Sequence, residues 1–339
     1  MASSVKPLRI GILGAANIAR AFTAAVAPSL VVKVAAVASR DVAKAEAFAR
    51  ECGIPRAIAS YEALLADPQI DAIYNPLPNS LHAEWSIKAA AAGKHILCEK
   101  PLAAKRAEAR AMFDAARKHG VHLVEAYPYL AQPMTLKVRE LIASGAIGRL
   151  QLIRASFGVP FSDTANIRLK ADLAGGSLMD AGSYPLSLVR ILAGERPSRV
   201  HAVARWAATG VDMTLAATLE FASGLIAQIS SSFATGYHRH AQIGGDKGSI
   251  ETMYLNHPPV GGPPVIQLRR GPTVATEIET ITVAGGNGFL AETESFARMI
   301  NGGAQYWTGA QAEESIDIAL TLEALLKSAR SGAPVQIGA

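Results

Sequence analysis

The sequence predicts an α/β protein with two domains, a doubly wound parallel sheet followed by an α+β domain with a large open sheet. The chain has 339 residues, which is too long for one ordinary domain. Up to residue 126, apolar runs without a polar face alternate with helical segments, as in a parallel sheet covered on both faces. From residue 127 onward, most strand-like runs alternate apolar with polar residues, which indicates a mostly antiparallel sheet.

The first predicted domain, residues 1–126, has strands separated by helices. The strands are expected at residues 8–13, 31–38, 72–75, 95–99 and 123–126. The helices are expected at residues 17–27, 42–51, 61–66, 81–92 and 104–119. Glycines follow three of these helices, at the place where a left-handed C-cap favours glycine. This order predicts a doubly wound sheet, whose ligands bind outside the carboxyl ends of the strands.

The second predicted domain, residues 127–339, is rich in strands. Helices are expected at residues 134–144, 183–192, 289–300 and 312–329. Strands are expected at residues 150–157, 199–205, 213–221, 225–232, 238–244, 249–254, 265–268 and 277–283. Turn-like stretches such as residues 222–224 and 244–248 link them, which favours an antiparallel sheet with one covered face.

Composition argues against several classes of function. The 33 basic and 28 acidic residues give a net charge of +5, and they are scattered rather than concentrated in one stripe. A nucleic-acid partner is therefore not expected. The two cysteines, Cys52 and Cys98, lie in different predicted elements, which argues against a disulfide framework. His238 and His240 share a strand face, but no third ligand is placed beside them, so no metal site is predicted.

The sequence shows no signal for a membrane or for export. Residues 1–7 lack the apolar core of a signal peptide. No uncharged apolar run reaches the roughly 18 residues that a spanning helix needs. We therefore expect a cytoplasmic protein without a membrane partner.

A small-residue turn joins the first strand to the first helix. It reads Gly14-Ala15-Ala16-Asn17-Ile18-Ala19, a degenerate form of the Gly-x-Gly-x-x-Gly/Ala pattern. Small residues let backbone N–H groups approach a pyrophosphate at the start of a helix. The turn also has a purely structural interpretation, but its place in the first βαβ unit favours nucleotide binding.

The end of the second strand bears on the choice of nucleotide. An NAD-selective site would place an acidic residue there to hold the ribose 2′-hydroxyl. Here Ser39 and Arg40 supply a hydroxyl and a planar cation, which suit a 2′-phosphate. Asp41 is expected to cap the following helix. NADP(H) is therefore preferred and NAD(H) remains possible, while Arg40 could instead be an ordinary surface cation.

Three further segments resemble a known family. They are residues 72–82 (AIYNPLPNSLH), 93–102 (GKHILCEKPL) and 175–184 (GGSLMDAGSY). The chain is similar over nearly its whole length to the glucose–fructose oxidoreductase / inositol dehydrogenase (Gfo/Idh/MocA) family. Because Tyr ends the last segment where inositol-specific relatives place His, it looks like the subset of dihydrodiol dehydrogenases, NADP-linked xylose dehydrogenases and aldose oxidoreductases.

The resemblance implies a Rossmann domain and a second domain whose open sheet covers the nicotinamide and often mediates dimerisation. A homodimer or higher homo-oligomer through that sheet is accordingly expected. The implied reaction is reversible hydride transfer between NADP(H) and a sugar, polyol or related C–OH or C=O group. Alternatives are a trans-dihydrodiol dehydrogenase, an aldose–aldose oxidoreductase with tightly bound NADP(H), and a non-catalytic NADP-sensing regulatory protein.

The expected catalytic residues are Lys100, Tyr184 and Asp180. A tyrosine, with an ordinary pKa of about 10, is a weak base at neutral pH unless a nearby cation stabilises the phenolate. Lys100 follows a strand at the carboxyl edge of the predicted sheet and is suited to that task. Asp180 and Tyr184 are four residues apart at a helix start and share a face. The resemblance gives Lys100 and Tyr184 the catalytic roles and makes Asp180 a substrate ligand as well.

Further candidates surround this group. Asn75, Pro76, Leu77, Asn79 and His82 follow the strand at residues 72–75 and should line the cofactor, although His82 could be a helix-start residue without a ligand. Glu99 is expected to contact the nicotinamide ribose. The remaining candidates, for the substrate pocket or the nicotinamide, are Tyr127, Asn166 and Arg168; the last could equally lie on the surface.

Overall fold

The computed structural model describes residues 6–161, 163 and 166–338 and has the predicted fold class. The described chain forms two compact units. The first unit contains the described residues up to 103 together with 107–131 and 287–309. The second contains residues 104–106, the described residues of 132–286, and 310–338. Residues 1–5, which belong to the segment examined above for a signal peptide, lie outside the described residues.

The helices begin and end close to the predicted positions. In chain order they are α1 (Asn17–Val26), α2 (Val42–Cys52), α3 (Tyr61–Ala66), α4 (His82–Ala91), α5 (Arg106–Lys118), α6 (Pro133–Ala143), α7 (Ser183–Ala193), α8 (Gly288–Gly302) and α9 (Ala312–Ser331).

The strands form one sheet in each unit. They are β1 (Leu8–Leu13), β2 (Val32–Ala38), β3 (Ala57–Ile58), β4 (Ala72–Asn75), β5 (His95–Glu99), β6 (Leu123–Ala126), β7 (Leu150–Gly158), β8 (Arg199–Trp206), β9 (Asp212–Glu220), β10 (Ile226–Ser232), β11 (His238–Gly245), β12 (Gly248–Met253), β13 (Val265–Arg270), β14 (Ile278–Thr282) and β15 (Val335–Gln336). The sequence missed β3 and β15 because two residues show no periodicity.

The first sheet is entirely parallel, in the order β3-β2-β1-β4-β5-β6. β4 is buried along its whole length, as expected for a strand covered on both faces. The core of this unit joins Ile10 and Phe22 to Phe289 and Phe296 of α8. The sequence-based division assigns residues 287–309 to the second domain, whereas their contacts place them in the first unit. Periodicity identifies α8 as amphipathic but carries no information about which sheet it covers.

The second sheet has the order β14-β13-β12-β11-β7-β10-β9-β8-β15. All of its pairs are antiparallel except β7 with β10. Exposed and buried residues alternate along β11, as predicted for a sheet with one covered face. α7 packs on β7, and α9 packs on β8 and on α7.

None of the helices within the described residues is both long enough and apolar enough to cross a membrane.

Candidate active site

The carboxyl edge of the first sheet gathers four of the predicted segments. Because β1, β2, β4 and β5 are parallel, the turns that follow them lie at the same edge. β1 lies between β2 and β4, so the strand order changes direction there. In open α/β sheets the crevice outside this switch point binds ligands. The structure therefore brings together the turns at residues 14–18, 39–40, 75–79 and 99–100.

Gly14 has a backbone conformation that requires glycine. Its φ of 88° is left-handed, and its N–H donates to the carbonyl of Ala38 at 2.7 Å. A Cβ at this position would lie 3.1 Å from Cδ2 of Leu77, in the loop after β4. A side chain at this position is therefore disfavoured both by the left-handed backbone and by the nearby leucine.

The N-terminus of α1 is suited to an anion. Ala16, which precedes the helix, has no side-chain oxygen to cap the N–H groups of the first turn. The Asn17 side chain accepts instead from Arg20 at 2.9 Å. Ala15 and Ile18 are half-buried against the core. The N–H groups at this helix start can therefore bind a phosphate, which the helix dipole also favours.

Of the three residues after β2, Ser39 and Asp41 make structural hydrogen bonds, whereas Arg40 is an exposed cation. Ser39 is buried, and its Oγ accepts from the Asp41 N–H at 3.2 Å. Asp41 caps α2 by accepting from the N–H groups of Ala43 and Lys44, as predicted. Arg40 is exposed. It acts to lower the pKa of Tyr61, against the larger raising effect of burial.

Asn75 and His82 are buried and are satisfied by neighbouring protein atoms. Asn75 donates to the His82 carbonyl at 3.3 Å and to Ser86 Oγ at 3.1 Å. The two ring nitrogens of His82 lie 2.9 Å from the Pro101 carbonyl and 2.8 Å from the Leu77 carbonyl. His82 therefore joins the loop after β4 to the loop after β5. Both residues were expected to line the cofactor, but the structure makes them supports of that edge.

The other residues of the loop after β4 are only partly accessible. Pro76 and Leu77 are buried, whereas Asn79 is half-buried at the start of the single turn Asn79–Leu81. Of this group, Asn79 is the one whose side chain has the exposure to contact a ligand.

Lys100 lies directly after β5 in a loop held by two glutamates. Its N–H donates to Oε2 of Glu99 at 3.3 Å, and the Lys100–Pro101 peptide bond is cis. Oε1 of Glu99 accepts from the Tyr74 hydroxyl at 2.6 Å. The Leu102 N–H donates to Oε1 of buried Glu125 at 2.8 Å. The lysine is half-buried and is fixed by its backbone on both sides.

A third buried glutamate lies near this loop, and the sequence analysis missed it. Glu292, on α8, is 1% exposed. Its pKa is raised well above the ordinary value, first by burial and then by the negative charge of Glu99, with Glu125 adding to the effect. The backbone N–H of Tyr127 acts in the opposite direction. Because Glu292 is about 190 positions from Glu99 in the chain, no local pattern could have paired them.

Glu292→Gln should stabilise the protein, and more so at alkaline pH. A carboxyl whose folded-state pKa is raised favours folding fully below its unfolded pKa and loses that contribution as pH rises through the folded value. Gln has nearly the same shape as the protonated carboxyl but does not ionise, so its contribution to stability does not fall as pH rises. Thermal unfolding at pH 5 and pH 8 should show the larger gain at pH 8. The exposed Glu46→Gln serves as the control and should change stability little at either pH. An equal gain from Glu292→Gln at both pH values would contradict a raised pKa for Glu292.

Tyr127 is fully buried, with its ring edge-on to Tyr129 at a centroid distance of 6.1 Å. Its expected role as a substrate contact requires exposure that the structure does not give it.

In the second unit, the Gly-Gly turn and the following helical segment place Asp180. Gly176 has a φ of 115°, and a Cβ there would overlap Oδ1 of Asp212. Asp212 is buried and accepts from Ser177 Oγ at 2.6 Å and from the Leu178 N–H at 2.7 Å. Burial raises the pKa of Asp212, against these hydrogen bonds. Asp212 therefore caps the helical start, a role that the sequence did not reveal.

Asp180 pairs with an arginine from the preceding loop. Nε of Arg168 donates to Oδ2 of Asp180 at 2.7 Å. Asn166 Oδ1 accepts from the Arg168 N–H at 3.0 Å and so shapes that loop. The side chain of Arg168, which was expected at the substrate pocket or the nicotinamide, pairs with the proposed substrate ligand Asp180.

Tyr184 lies in the first turn of α7 and is 6% exposed. Its hydroxyl oxygen accepts from Nδ2 of Asn256 at 3.1 Å. The ring meets Phe157 edge-on at a centroid distance of 5.5 Å. The guanidinium carbon of Arg239 lies 3.9 Å from the ring centroid. Neither Asn256 nor Arg239 was among the sequence candidates, although the period of two along β11 would have placed Arg239 on the covered face.

Comparison with known families identifies both parts of the chain. Residues 8–127 match the family described as an oxidoreductase family with an NAD-binding Rossmann fold. Residues 135–251 match the family described as the GFO/IDH/MocA C-terminal domain. Together the two matches cover more than half of the sequence.

Individual relatives match over most of their length. The chain is 37% identical to D-xylose 1-dehydrogenase (NADP(+)) 2 of Haloferax volcanii, over 97% of this chain and 100% of the relative. It is 36% identical to trans-1,2-dihydrobenzene-1,2-diol dehydrogenase of Mus musculus, over 73% and 75%. A similar solved structure is KijD10, a 3-ketoreductase from Actinomadura kijaniata in complex with NADP and TDP-benzene, with a TM-score of 0.85 and 31% identity over 95% and 98%.

Proposed function

Because the chain belongs to the GFO/IDH/MocA family of oxidoreductases, we propose that it catalyses reversible hydride transfer between NADP(H) and a sugar, polyol or related C–OH or C=O substrate. The observation that best supports this proposal is the arrangement at the carboxyl edge of the first sheet. A helix start suited to phosphate, an exposed arginine and a half-buried lysine follow the parallel strands β1, β2 and β5 at that edge. That combination suits a dinucleotide beside a proton-transfer site.

The residues at this edge fit NADP(H). The turn at Gly14 and the start of α1 would hold the pyrophosphate, because the glycine leaves room and the N–H groups are uncapped. Arg40 would bind the 2′-phosphate with a planar, permanently charged guanidinium. The name of the Haloferax volcanii relative includes NADP(+). The bound nucleotide supplies the hydride acceptor or donor.

The remaining chemistry is a proton transfer by the chain itself. In alcohol oxidation Tyr184 would accept the proton of the substrate hydroxyl. In carbonyl reduction it would donate that proton to the substrate oxygen. Lys100 stabilises the charge that develops in this step, and Asp180, whose carboxylate is oriented by Arg168, holds a substrate hydroxyl.

A matrix of substrates and cofactors tests the function. Aldoses, polyols and trans-dihydrodiols should each be assayed with NADP+ and NAD+, and the corresponding carbonyl compounds with NADPH and NADH. We expect turnover with at least one carbohydrate class and faster turnover with the phosphorylated cofactor. Cofactor binding without turnover of any compound would instead favour the non-catalytic NADP-sensing alternative.

Arg40→Ala should weaken NADP+ binding much more than NAD+ binding. The variant removes the cation proposed for the 2′-phosphate, and charge-assisted bonds of this type contribute about 1.5–3 kcal/mol, or roughly 10- to 150-fold in affinity. Fluorescence titration gives both dissociation constants. Arg50→Ala, at the last turn of α2, is the matched control and should change neither. Equal losses for the two cofactors would contradict the 2′-phosphate assignment, and no loss for either would make Arg40 an ordinary surface cation.

A second candidate substrate class is a trans-dihydrodiol. Aromatic side chains favour it, because Phe157 lies beside Tyr184 and also meets Tyr237 edge-on at 6.0 Å. Tyr237 is 63% exposed and could cover a ring. A preference for dihydrodiols over aldoses in the assay would support this candidate. Protein that purifies with NADP(H) bound would point to the aldose–aldose variant.

The oligomeric state and location remain predictions. Val203 and Ile226 are large apolar side chains exposed on the second unit, at 61% and 45%. They are consistent with the expected homo-oligomer through the second sheet. The cytoplasmic location is likewise a prediction.

A further inference from the structure

Arg239 occupies an unusual position for an arginine. It is only 5% exposed, and it lies in β11 directly opposite Phe157 of β7 in the strand register. Its guanidinium carbon lies 3.9 Å from the ring centroid of Tyr184 and 4.9 Å from those of Phe157 and Tyr254. The cation is thus surrounded by three aromatic rings, one of which belongs to the proposed acid/base.

Burial of this cation is offset by specific contacts. Removing a guanidinium from water is costly unless other groups replace its hydration. The electron-rich faces of the three rings attract the cation, and this attraction is strongest where water is excluded. Tyr254 is held by its own hydroxyl, which donates to the Ser156 carbonyl at 2.7 Å. The ring arrangement is therefore fixed by the sheet.

Asn256 connects the same cation to the hydroxyl of Tyr184. Arg239 Nη2 donates to Oδ1 of Asn256 at 3.3 Å, and Nδ2 of Asn256 lies 3.1 Å from the Tyr184 oxygen. A guanidinium only donates, so the Asn256 oxygen must face Arg239 and its NH2 group must face Tyr184. The Tyr184 oxygen consequently accepts a hydrogen bond from Asn256. The backbone carbonyl of Asn256 accepts from Gln132 Nε2 at 2.7 Å, and this bond helps to hold Asn256 in place.

The charged and titratable groups of this unit that lie around Tyr184 include Asp180, His257 and Arg239. Asp180 is one turn earlier, and its charge is opposed by Arg168. His257 follows Asn256 and has a lowered pKa, first because of burial and then because of Arg239, so it is neutral at neutral pH. Tyr254 keeps its proton in the bond to Ser156. Arg239 is left as the charge in direct contact with the Tyr184 ring.

We propose that Arg239 and Asn256 are positioning residues for the reaction, which act through Tyr184 by stabilising its phenolate. The guanidinium lies against the ring, over which the phenolate charge is delocalised, and the Asn256 amide donates to the oxygen that bears most of that charge. This inference rests on the proposed role of Tyr184 as acid/base.

The test measures the pH dependence of alcohol oxidation in Arg239→Met, Arg239→Lys and Asn256→Ala. Met keeps the length of the side chain and removes its charge, whereas Lys keeps the charge. In Arg239→Met we expect the rise of kcat with pH to move upward by about one unit or more, with a loss of about tenfold in kcat at pH 7. Asn256→Ala should shift the profile in the same direction, and Arg239→Lys should recover part of the loss.

A structural role alone would not give this pattern. Tyr254→Phe disturbs the same group of rings without changing its charge, and its pH profile should be that of the wild type. An unchanged profile in both Arg239→Met and Asn256→Ala would overturn the inference, as would a similar shift in Tyr254→Phe. If Arg239→Met fails to fold, Asn256→Ala and Arg239→Lys provide the same comparison.

Two outcomes separate this inference from the proposed function. If Tyr184→Phe keeps its turnover, the acid/base assignment itself fails. If Tyr184→Phe is inactive and the Arg239 and Asn256 variants keep the wild-type profile, only the inference fails. Titration of the Tyr184 ring carbon by NMR in substrate-free protein gives a readout independent of turnover. The phenolate should form at higher pH in Arg239→Met than in the wild type.

Discussion

Tyr184→Phe should lower kcat by a factor of about 100 to 10,000, the usual contribution of a general acid or base. The variant removes only the hydroxyl that we propose exchanges a proton with the substrate oxygen. The ring keeps its contacts with Phe157 and Arg239, so α7 should remain in place. Affinity for NADP(H), measured by fluorescence titration, should stay within a few-fold of the wild type.

Lys100→Met extends the same prediction to the first unit. Because the loop is held by backbone bonds to Glu99 and Glu125, loss of the ammonium should leave the fold intact and abolish turnover while cofactor binding remains measurable. Lys105→Met, five residues later and exposed, is the matched control. Near-normal turnover in Lys100→Met or Tyr184→Phe would remove that residue from the mechanism.

Loss of the buried ion pair between α7 and α9 should have the largest effect on stability. Arg190 donates through Nε and Nη2 to Oδ2 of Asp317, at 3.0 and 2.8 Å, and each residue is 8% exposed. Arg190→Met leaves the buried carboxylate with the more distant Arg196, whose Nη1 lies 3.8 Å from Oδ1. Breaking a buried pair by removing one partner typically costs about 3–5 kcal/mol. Urea unfolding monitored by circular dichroism gives the change in the free energy of unfolding.

Two comparisons check the cause of that loss. The double variant Arg190→Met/Asp317→Leu removes both charges and should recover much of the stability. Arg199→Met breaks a pair with Glu220 in which both side chains are more than 40% exposed, so it should cost less than about 1 kcal/mol. A similar loss in Arg199→Met would show that burial does not determine the strength of these pairs. Because Tyr184 begins the same helix that Arg190 anchors, we also expect Arg190→Met to reduce kcat.

Some residues could be placed correctly from the sequence, because their position depends only on the neighbouring strand or helix. Lys100 was expected at the carboxyl edge because a residue that follows a parallel strand must lie there, and the structure places it after β5. Asp41 was expected to cap α2, and it does. Asn75 and His82 show the limit of such reasoning. A polar residue after a strand can face a ligand or a neighbouring loop, and only the packed loops show that both are satisfied internally.

Residues that act through distant partners could not be read from the chain. The pKa of Glu292 is raised by burial and by the nearby glutamates of β5 and β6. Asp212 caps a helical segment that begins 35 residues earlier. Arg239 lies opposite Phe157 because β11 pairs with β7, which follows from the sheet register rather than from any motif.

The sequence by itself determined the two-part architecture, the order of strands and helices, and the segments that we propose carry the reaction. Periodicity and short motifs encode these features within some ten residues. Only the tertiary structure decided that α8 packs on the first sheet, which polar side chains are consumed in supporting the site, and that Tyr184 lies against a buried arginine. Those features depend on pairs of groups brought together from remote positions, where burial and proximity set their charge and hydrogen bonding.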